Sequence, residues 1–300
     1  MRVALGLSKP MPLARRRYSA RRTLIEAGSM ILGVILLIWS LLPIYNMLLI
    51  ALDPEEGEIE FAGNLWVPEP SLEGFRAVVT QEARYLENFW RQFGNSVYIG
   101  LLTVLLTVLI GSLASFAVSR MRLSRSSLLT KTALITYGIP ASFLIVPYYR
   151  VMHDYGLSDN LWAVIAAQVT FATPFAILIL QLYARLIPFE LDDAARVDGA
   201  SAIQVYLRIY LPLMMPALAV VAIYALLLAW NDYLYQAVLL SVRNMTVSVA
   251  QGQLFTDTDA PWNAMMAAAI IYALPPFAIF CALRRHIAAG LRGVGSGNSL

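Results

Sequence analysis

One cysteine, Cys281, and two histidines, His153 and His286, are all this chain offers for disulfides, zinc ligation or histidine-based catalysis. A single thiol rules out a disulfide framework within the chain. The histidines lie far apart in sequence, which argues against a His-rich metal site or a His-based triad. Charge is also scarce, at 14% Asp, Glu, Lys and Arg, where an ordinary soluble domain carries about 25%. The phosphate-loop pattern G-x-x-x-x-G-K-[ST] is missing. The glycines of "GLRGVGSGNSL" have neither the lysine nor the strand–helix context it needs. H-E-x-x-H and G-x-S-x-G are missing as well. No enzyme chemistry is visible, and any ATP hydrolysis belongs on another polypeptide.

What fills the 300 residues is apolar: 59% hydrophobic, with a mean hydropathy of +0.65. The expectation is an all-α integral membrane protein. A spanning helix needs about 20 mostly apolar residues. Six stretches qualify: 27–52, 96–118, 132–151, 161–184, 211–240 and 264–283. A basic leader, residues 1–25, precedes the first, whose apolar run is too long for a signal peptide and reads as a retained anchor. The rest divides into a membrane domain over 26–292 and a short tail, 293–300.

Seventeen of the 22 basic residues fall in 1–25, 119–131, 185–210 and 284–300, and five in the alternate connections. Basic residues mark the cytoplasmic face, so both termini are expected inside. The connection 53–95 is acidic, as suits an external segment. A multi-pass membrane protein is the expectation.

The cytoplasmic element 188–210 is unlike its surroundings. Pro188 suits a helix's first turn, and Glu190, Asp192 and Asp193 complement the dipole of a helix starting there. Ala194 and Ala195 favour helix. Asp198-Gly199-Ala200 reads as a stop, since glycine takes the left-handed conformation after a helix end. Ser201 and Gln204 have capping-box spacing for a second helix. The expectation is helix, tight turn, helix. Small alanines beside acidic residues suit a peg entering a socket. An amphipathic hairpin lying on lipid headgroups fits the same residues, and residue chemistry leaves both open.

Polar groups inside a bilayer are functional candidates. "AWNDYLY" puts Trp230, Asn231, Asp232 and Tyr233 in the fifth span. Aromatic rings stack on sugar faces, and Asn and Asp hydrogen-bond hydroxyls. The same residues would equally lock helices together or cap a broken one. Tyr137 is a further path candidate, with Gln168, Thr173 and Gln181 weaker. Prolines at 140, 147, 174, 275 and 276 are expected to kink their spans. Gly111 and Ser115 have small-xxx-small spacing, suited to close helix packing.

The stretch "DDAARVDGASAIQVYLRIYLPLMMPAL" resembles the EAA signature of the membrane subunits of bacterial binding-protein-dependent ABC importers. Asp193-Ala194-Ala195, Asp198-Gly199-Ala200 and Leu211-Pro212 stand in the matching places, with Asp193 where the family has Glu. "FWRQFGNSVYIG", "SFAVSRMRL", "VPYYRVMHDYGLSDN", "FATPFAILIL", "LLLAWNDYL" and "WNAMMAAAIIYALPP" are similar to the second membrane subunit of maltose-type sugar importers. The resemblance covers about residues 26 to 292.

It implies the type I importer permease fold, with six transmembrane helices and a cytoplasmic coupling helix-turn-helix. It makes Glu190, Asp193, Ala194, Ala195, Asp198, Gly199 and Ala200 the contact with an ATPase. It gives Gly252, Gln253, Leu254, Phe255, Thr256, Asp257 and Thr258 the role of a loop probing the cleft of an external binding protein. The implied partners are a second permease subunit, an ATPase dimer holding ATP and Mg, a solute-binding protein and a sugar, with no nucleic acid. No cofactor is expected in this chain. The tail departs from the family's usual ending after Gly290-Leu291. The competing reading is an ion-coupled secondary transporter, which calls for inverted repeats and mid-membrane ionisable groups. No repeat is visible, and only Asp232 would serve.

Overall fold

The structure, a computed structural model, describes residues 20–54, 65–82, 86–121, 126–254 and 261–295. Among these there is no strand, and twelve α-helices and one π-helical turn carry the fold. They are α1 (Ala20–Ala51), α2 (Glu73–Thr80), α3 (Phe89–Arg120), α4 (Ser126–Tyr137), α5 (Ala141–Asp154) and α6 (Leu161–Ala184). Next come α7 (Glu190–Val197), α8 (Ala202–Val205), the π-turn (Tyr206–Tyr210) and α9 (Leu211–Asn231). The last three are α10 (Leu234–Leu239), α11 (Val247–Leu254) and α12 (Trp262–Gly295). The leader to residue 19, the last five residues of the tail and residues 255–258 of the expected probing loop lie outside the described residues. The chain forms two compact units, one ending at Leu49 and the other running from Ile50. Among the described residues the first consists of α1 as far as Leu49, a continuous apolar helix with Pro43 inside it.

The second unit is built on α3. Along its length α3 packs on α6 and α9, which also pack on each other. Close approach of α3 and α6 rests on Gly111, where an added Cβ would lie 2.9 Å from the Cβ of Ala176. The expected small-residue seam is therefore real at Gly111. Ser115, one turn on, is buried and takes a hydrogen bond from Tyr210. α12 packs on α9 and α2, around a core of Val78, Phe89, Val247 and Ala267.

Among the described residues five stretches are long and apolar enough to cross a membrane: Leu24–Ala51, Phe89–Arg120, Leu161–Ala184, Ala202–Asn231 and Trp262–Arg285. Two of the six expected spans need correction. Residues 132–151 are not one helix. α4 ends at Tyr137 and α5 begins at Ala141, because Pro140 adopts φ −61° and ψ 125° and disfavours helix at the residue before it. The amides of Gly138 and Ile139 turn back to the carbonyls of Ile135 and Thr136. Pro140 thus breaks where a kink was expected, whereas Pro147, Pro174, Pro275 and Pro276 stay inside continuous helices. Residues 211–240 also differ: the helix begins earlier, at Ala202, and stops at Asn231. Asp232 is extended, at ψ 125°, and its carboxylate accepts from the amides of Tyr235 and Gln236, capping α10.

The end of α6 away from residues 185–210 is closed by a clasp. Asp159 takes a left-handed φ of 54°, which Asp tolerates better than most residues. Its carboxylate accepts from the amide and hydroxyl of Ser241 at 2.8 and 2.7 Å. Its amide donates to Leu239 O, and its carbonyl accepts from Asn244. Burial raises the Asp159 pKa, but the Ser241 bonds, the Asn244 amide and the Arg243 charge outweigh it and leave the carboxyl below its ordinary value. A carboxyl depressed on folding stabilises above the unfolded pKa, and that contribution disappears as pH falls through the folded value. At neutral pH the wild type should therefore unfold at a higher temperature than Asp159→Asn. The gap should narrow once pH falls below the ordinary Asp value of about 3.9 and close as the depressed folded carboxyl is itself protonated. A gap that does not change with pH would show that the ionised carboxylate is not what holds the clasp.

Candidate functional site

The element between α6 and α9 folds as its local chemistry dictates. Glu190, Asp192 and Asp193 occupy the first turn of α7 and Arg196 its last, matching the helix dipole at both ends. Gly199 has φ +85°. Its amide donates to Arg196 O at 3.0 Å, and that of Ala200 to Ala195 O at 2.9 Å. This pair of bonds is a Schellman stop, which needs a left-handed residue where Gly199 sits. The next residues start α8 at once. Gln204 N donates to the Ser201 hydroxyl, and Ser201 N to Gln204 Oε1, completing the expected capping box. The turn is therefore satisfied on both sides and has one backbone geometry.

Glu190, Asp193, Ala194, Asp198 and Gly199 are exposed, while Ala195 and Ala200 are half-buried and pack on the core formed by Phe116, Leu180, Tyr206 and Tyr210. A concavity of about 400 Å³ opens in the crook, lined by Ala195, Asp198, Gly199, Ala200, Gln204, Arg208 and Ile209. Around it Val197 and Ile203 are 87% and 70% exposed.

Several contacts that hold this element carry no sequence signature. Asp192 is buried, and its carboxylate lies 3.4 Å from Nη1 of Arg120 at the end of α3. Nη2 of Arg120 donates to the carbonyls of Ala184 and Ile187, and its guanidinium sits 4.6 Å over the Phe189 ring. On the other arm, Tyr206 and Ser112 hydroxyls meet at 2.7 Å, and Tyr210 donates to Ser115 at 2.9 Å. Phe116 lies edge-on to both tyrosines. The sequence signal for them is slight: Arg120 stands two residues past the apolar run 96–118, as one of the four basic residues of 119–131.

At the other end of the domain, the residues named as a substrate path have divided roles. Trp230 is buried and stacked on Tyr272, with centroids 4.7 Å apart, and Tyr272 donates to Trp230 O. Asp232 caps α10, as above. Asn231 and Tyr233 are exposed. Tyr137 is exposed at the break after α4, with its hydroxyl 3.4 Å from that of Tyr224. Tyr224 precedes Asn231 by seven residues, roughly 10 Å along α9. Gly252, Gln253 and Leu254 are the end of a helix, α11, where a loop was expected. Gly252 lies so close to Tyr233 that an added Cβ would be 2.5 Å from its ring, so the structure joins two candidates that sequence kept apart. Behind them Gln236 accepts from Thr246 and Ser248 and donates to Ala229 O. Among the described residues no group of three His, Cys, Asp or Glu is placed to hold a metal ion.

Residues 26–293 match the family described as "Binding-protein-dependent transport system inner membrane component". The Inner membrane ABC transporter permease protein YcjP of Escherichia coli is 30% identical over 280 residues, 92% of this chain and 98% of that one. The Arabinooligosaccharides transport system permease protein AraQ of Halalkalibacterium halodurans is 30% identical over 83% of this chain and 88% of its own length. Among solved structures, a chain of a bacterial ABC transporter importing the acidic polysaccharide alginate superposes with a TM-score of 0.72, at 20% identity. The match covers 89% of this chain and 98% of that one.

Proposed function

This chain belongs to the family of binding-protein-dependent transport system inner membrane components, and from that premise we propose that it is a permease subunit of an ATP-driven sugar importer. The cargo is an oligosaccharide, a disaccharide or a glycoside. Relatives whose names specify arabinooligosaccharide and trehalose transport support that class. ATP and Mg bind a separate ATPase dimer, so this subunit is not itself catalytic. A second permease subunit completes the membrane domain, and an external binding protein delivers the sugar. Residues 185–210 and both termini face the cytoplasm.

The observation that carries the reading is the satisfied Schellman-and-capping-box turn at Asp198–Gln204. A peg with one backbone geometry and exposed apolar residues at its tip is suited to being pushed. Closing of the ATPase dimer moves it and turns the cavity from inward-facing to outward-facing by alternating access. The lipid-headgroup hairpin is less well supported, since Ala195 and Ala200 pack inward on the domain core. Asn231, Tyr233 and Tyr137 have surface free to contact sugar, whereas Trp230 and Asp232 are engaged in packing and capping. Residues 252–258 probe the binding protein, with Tyr233 against their first residue.

The test is ATP hydrolysis by the complex reconstituted in lipid with its ATPase, second permease subunit and loaded binding protein. One sugar class in a panel of sugars and glycosides should stimulate hydrolysis about tenfold, within the usual range of coupling between sites. Uptake that persists without the ATPase, driven by an ion gradient, would replace this reading with that of a secondary transporter.

A further inference from the structure

Both arms of the peg are fastened to one face of one helix. Ser112, Ser115, Phe116 and Arg120 stand at i, i+3, i+4 and i+8 near the end of α3, so they share a side. Ser112 and Ser115 hold Tyr206 and Tyr210 on the arm that leads into α9. Arg120 holds Asp192 on the arm that leads out of α6. It also gathers Ala184 O and Ile187 O, two carbonyls at the corner where α6 ends. Ala184 O is one of the last carbonyls of α6, which have no partner inside the helix, and it also accepts from the amide of Ile187 in the connection. A single planar guanidinium thus ties α3, the end of α6 and the first turn of α7 together.

The contact is costly and unevenly satisfied. The Arg120 side chain is 0% exposed and that of Asp192 4%. Nε and Nη1 of Arg120 and Oδ2 of Asp192 have no hydrogen-bond partner, and the pair meets at 3.4 Å, longer than the roughly 2.7–2.9 Å of a strong charge-assisted bond. A buried pair of this kind is weak evidence for stability, because desolvation offsets most of the attraction. Its better use is to fix one arrangement among several. Without it the connection 185–189 would hinge, and a push on α7 would be absorbed there.

We propose that Arg120 is the positioning residue of coupling, locking α7 to the end of α3 so that a displaced peg carries α3 and α6 with it as one body. This rests on the transport reading above, and the experiment separates the two. In a Cys281→Ser background, spin labels are placed at Met121→Cys and Leu191→Cys, both exposed positions, within the assembled complex. The expected distance distribution is narrow and the same with and without bound nucleotide. A mean that moves by more than its own width on nucleotide binding overturns the proposal, and this readout needs no destabilising variant.

The second arm uses two paired variants, Arg120→Gln/Asp192→Asn and Arg120→Met/Asp192→Leu. Neither leaves an uncompensated buried charge of the kind that unfolds proteins. Both should assemble and hydrolyse ATP, yet deliver about tenfold less substrate per ATP, within the range of mutational effects on coupling, with broadened label distances. Wild-type delivery per ATP with unbroadened distances in both variants also overturns it. If the wild-type complex shows no substrate-stimulated hydrolysis at all, the transport reading fails, while the label distances still decide the clamp.

Discussion

Gly199→Pro should reduce transport by about a hundredfold, near the upper end of coupling between sites, while the subunit accumulates in the membrane at its normal level. The cause is backbone geometry. Gly199 sits at φ +85° and proline is fixed near −65°. Proline also removes the amide that closes the turn on Arg196 O. No heavy atom lies within 4 Å of where a Cβ would go, so crowding is not the issue and the rest of the domain should fold. The peg would point elsewhere, and ATP hydrolysis should lose its response to substrate. Gly199→Asn is the control, because asparagine visits the left-handed region at small cost, and it should retain most of the activity. Normal, substrate-stimulated transport by the proline variant would refute the assignment of residues 190–204 as the coupling peg.

A second large effect belongs to folding. Gly111→Leu places a branched side chain where even a Cβ would be 2.9 Å from Ala176 Cβ and 3.6 Å from Leu180 Cδ1. α3 and α6 would have to separate along their shared seam, on which the Arg120 corner and both tyrosine–serine bonds depend. Overpacking of this kind costs about 1–3 kcal/mol and sometimes more. The expected result is a marked fall in the yield of monodisperse protein and in its unfolding temperature in detergent. Gly94→Leu on the same helix, with nothing within 4 Å of its added Cβ, should change neither. Equal behaviour of the two variants would mean that the α3–α6 seam does not depend on Gly111.

What sequence made legible was local. The Asp198-Gly199 stop and the Ser201–Gln204 start are chemistry between residues at most five apart, and both were found where expected. Three of the six apolar runs lie within helices long enough to span and a fourth, 27–52, passes the end of its helix by one residue, and the fold class followed from them and from the resemblance. The third run was misread because hydropathy does not register that Gly138 and Pro140 together stop a helix. The fifth run ends early because Asp232 takes one of the roles left open to it in sequence, the cap of a broken helix, and not a place in mid-span. The contacts that fasten the peg join residues 72 to 95 positions apart in sequence where Arg120 meets Asp192 and the tyrosines meet the serines. No periodicity carries that information. Asp192 looked like one more dipole charge, and only packing distinguishes it from its exposed neighbour Asp193.

The π-turn at Tyr206–Tyr210 adds one residue to the winding between α8 and α9. An α-helix rotates by about 100° per residue, so that surplus residue sets the compass bearing of everything before it relative to the bundle. The knob's heading is thus stored as a residue count, and a chain one residue shorter here would aim the same well-formed knob about a quarter-turn away.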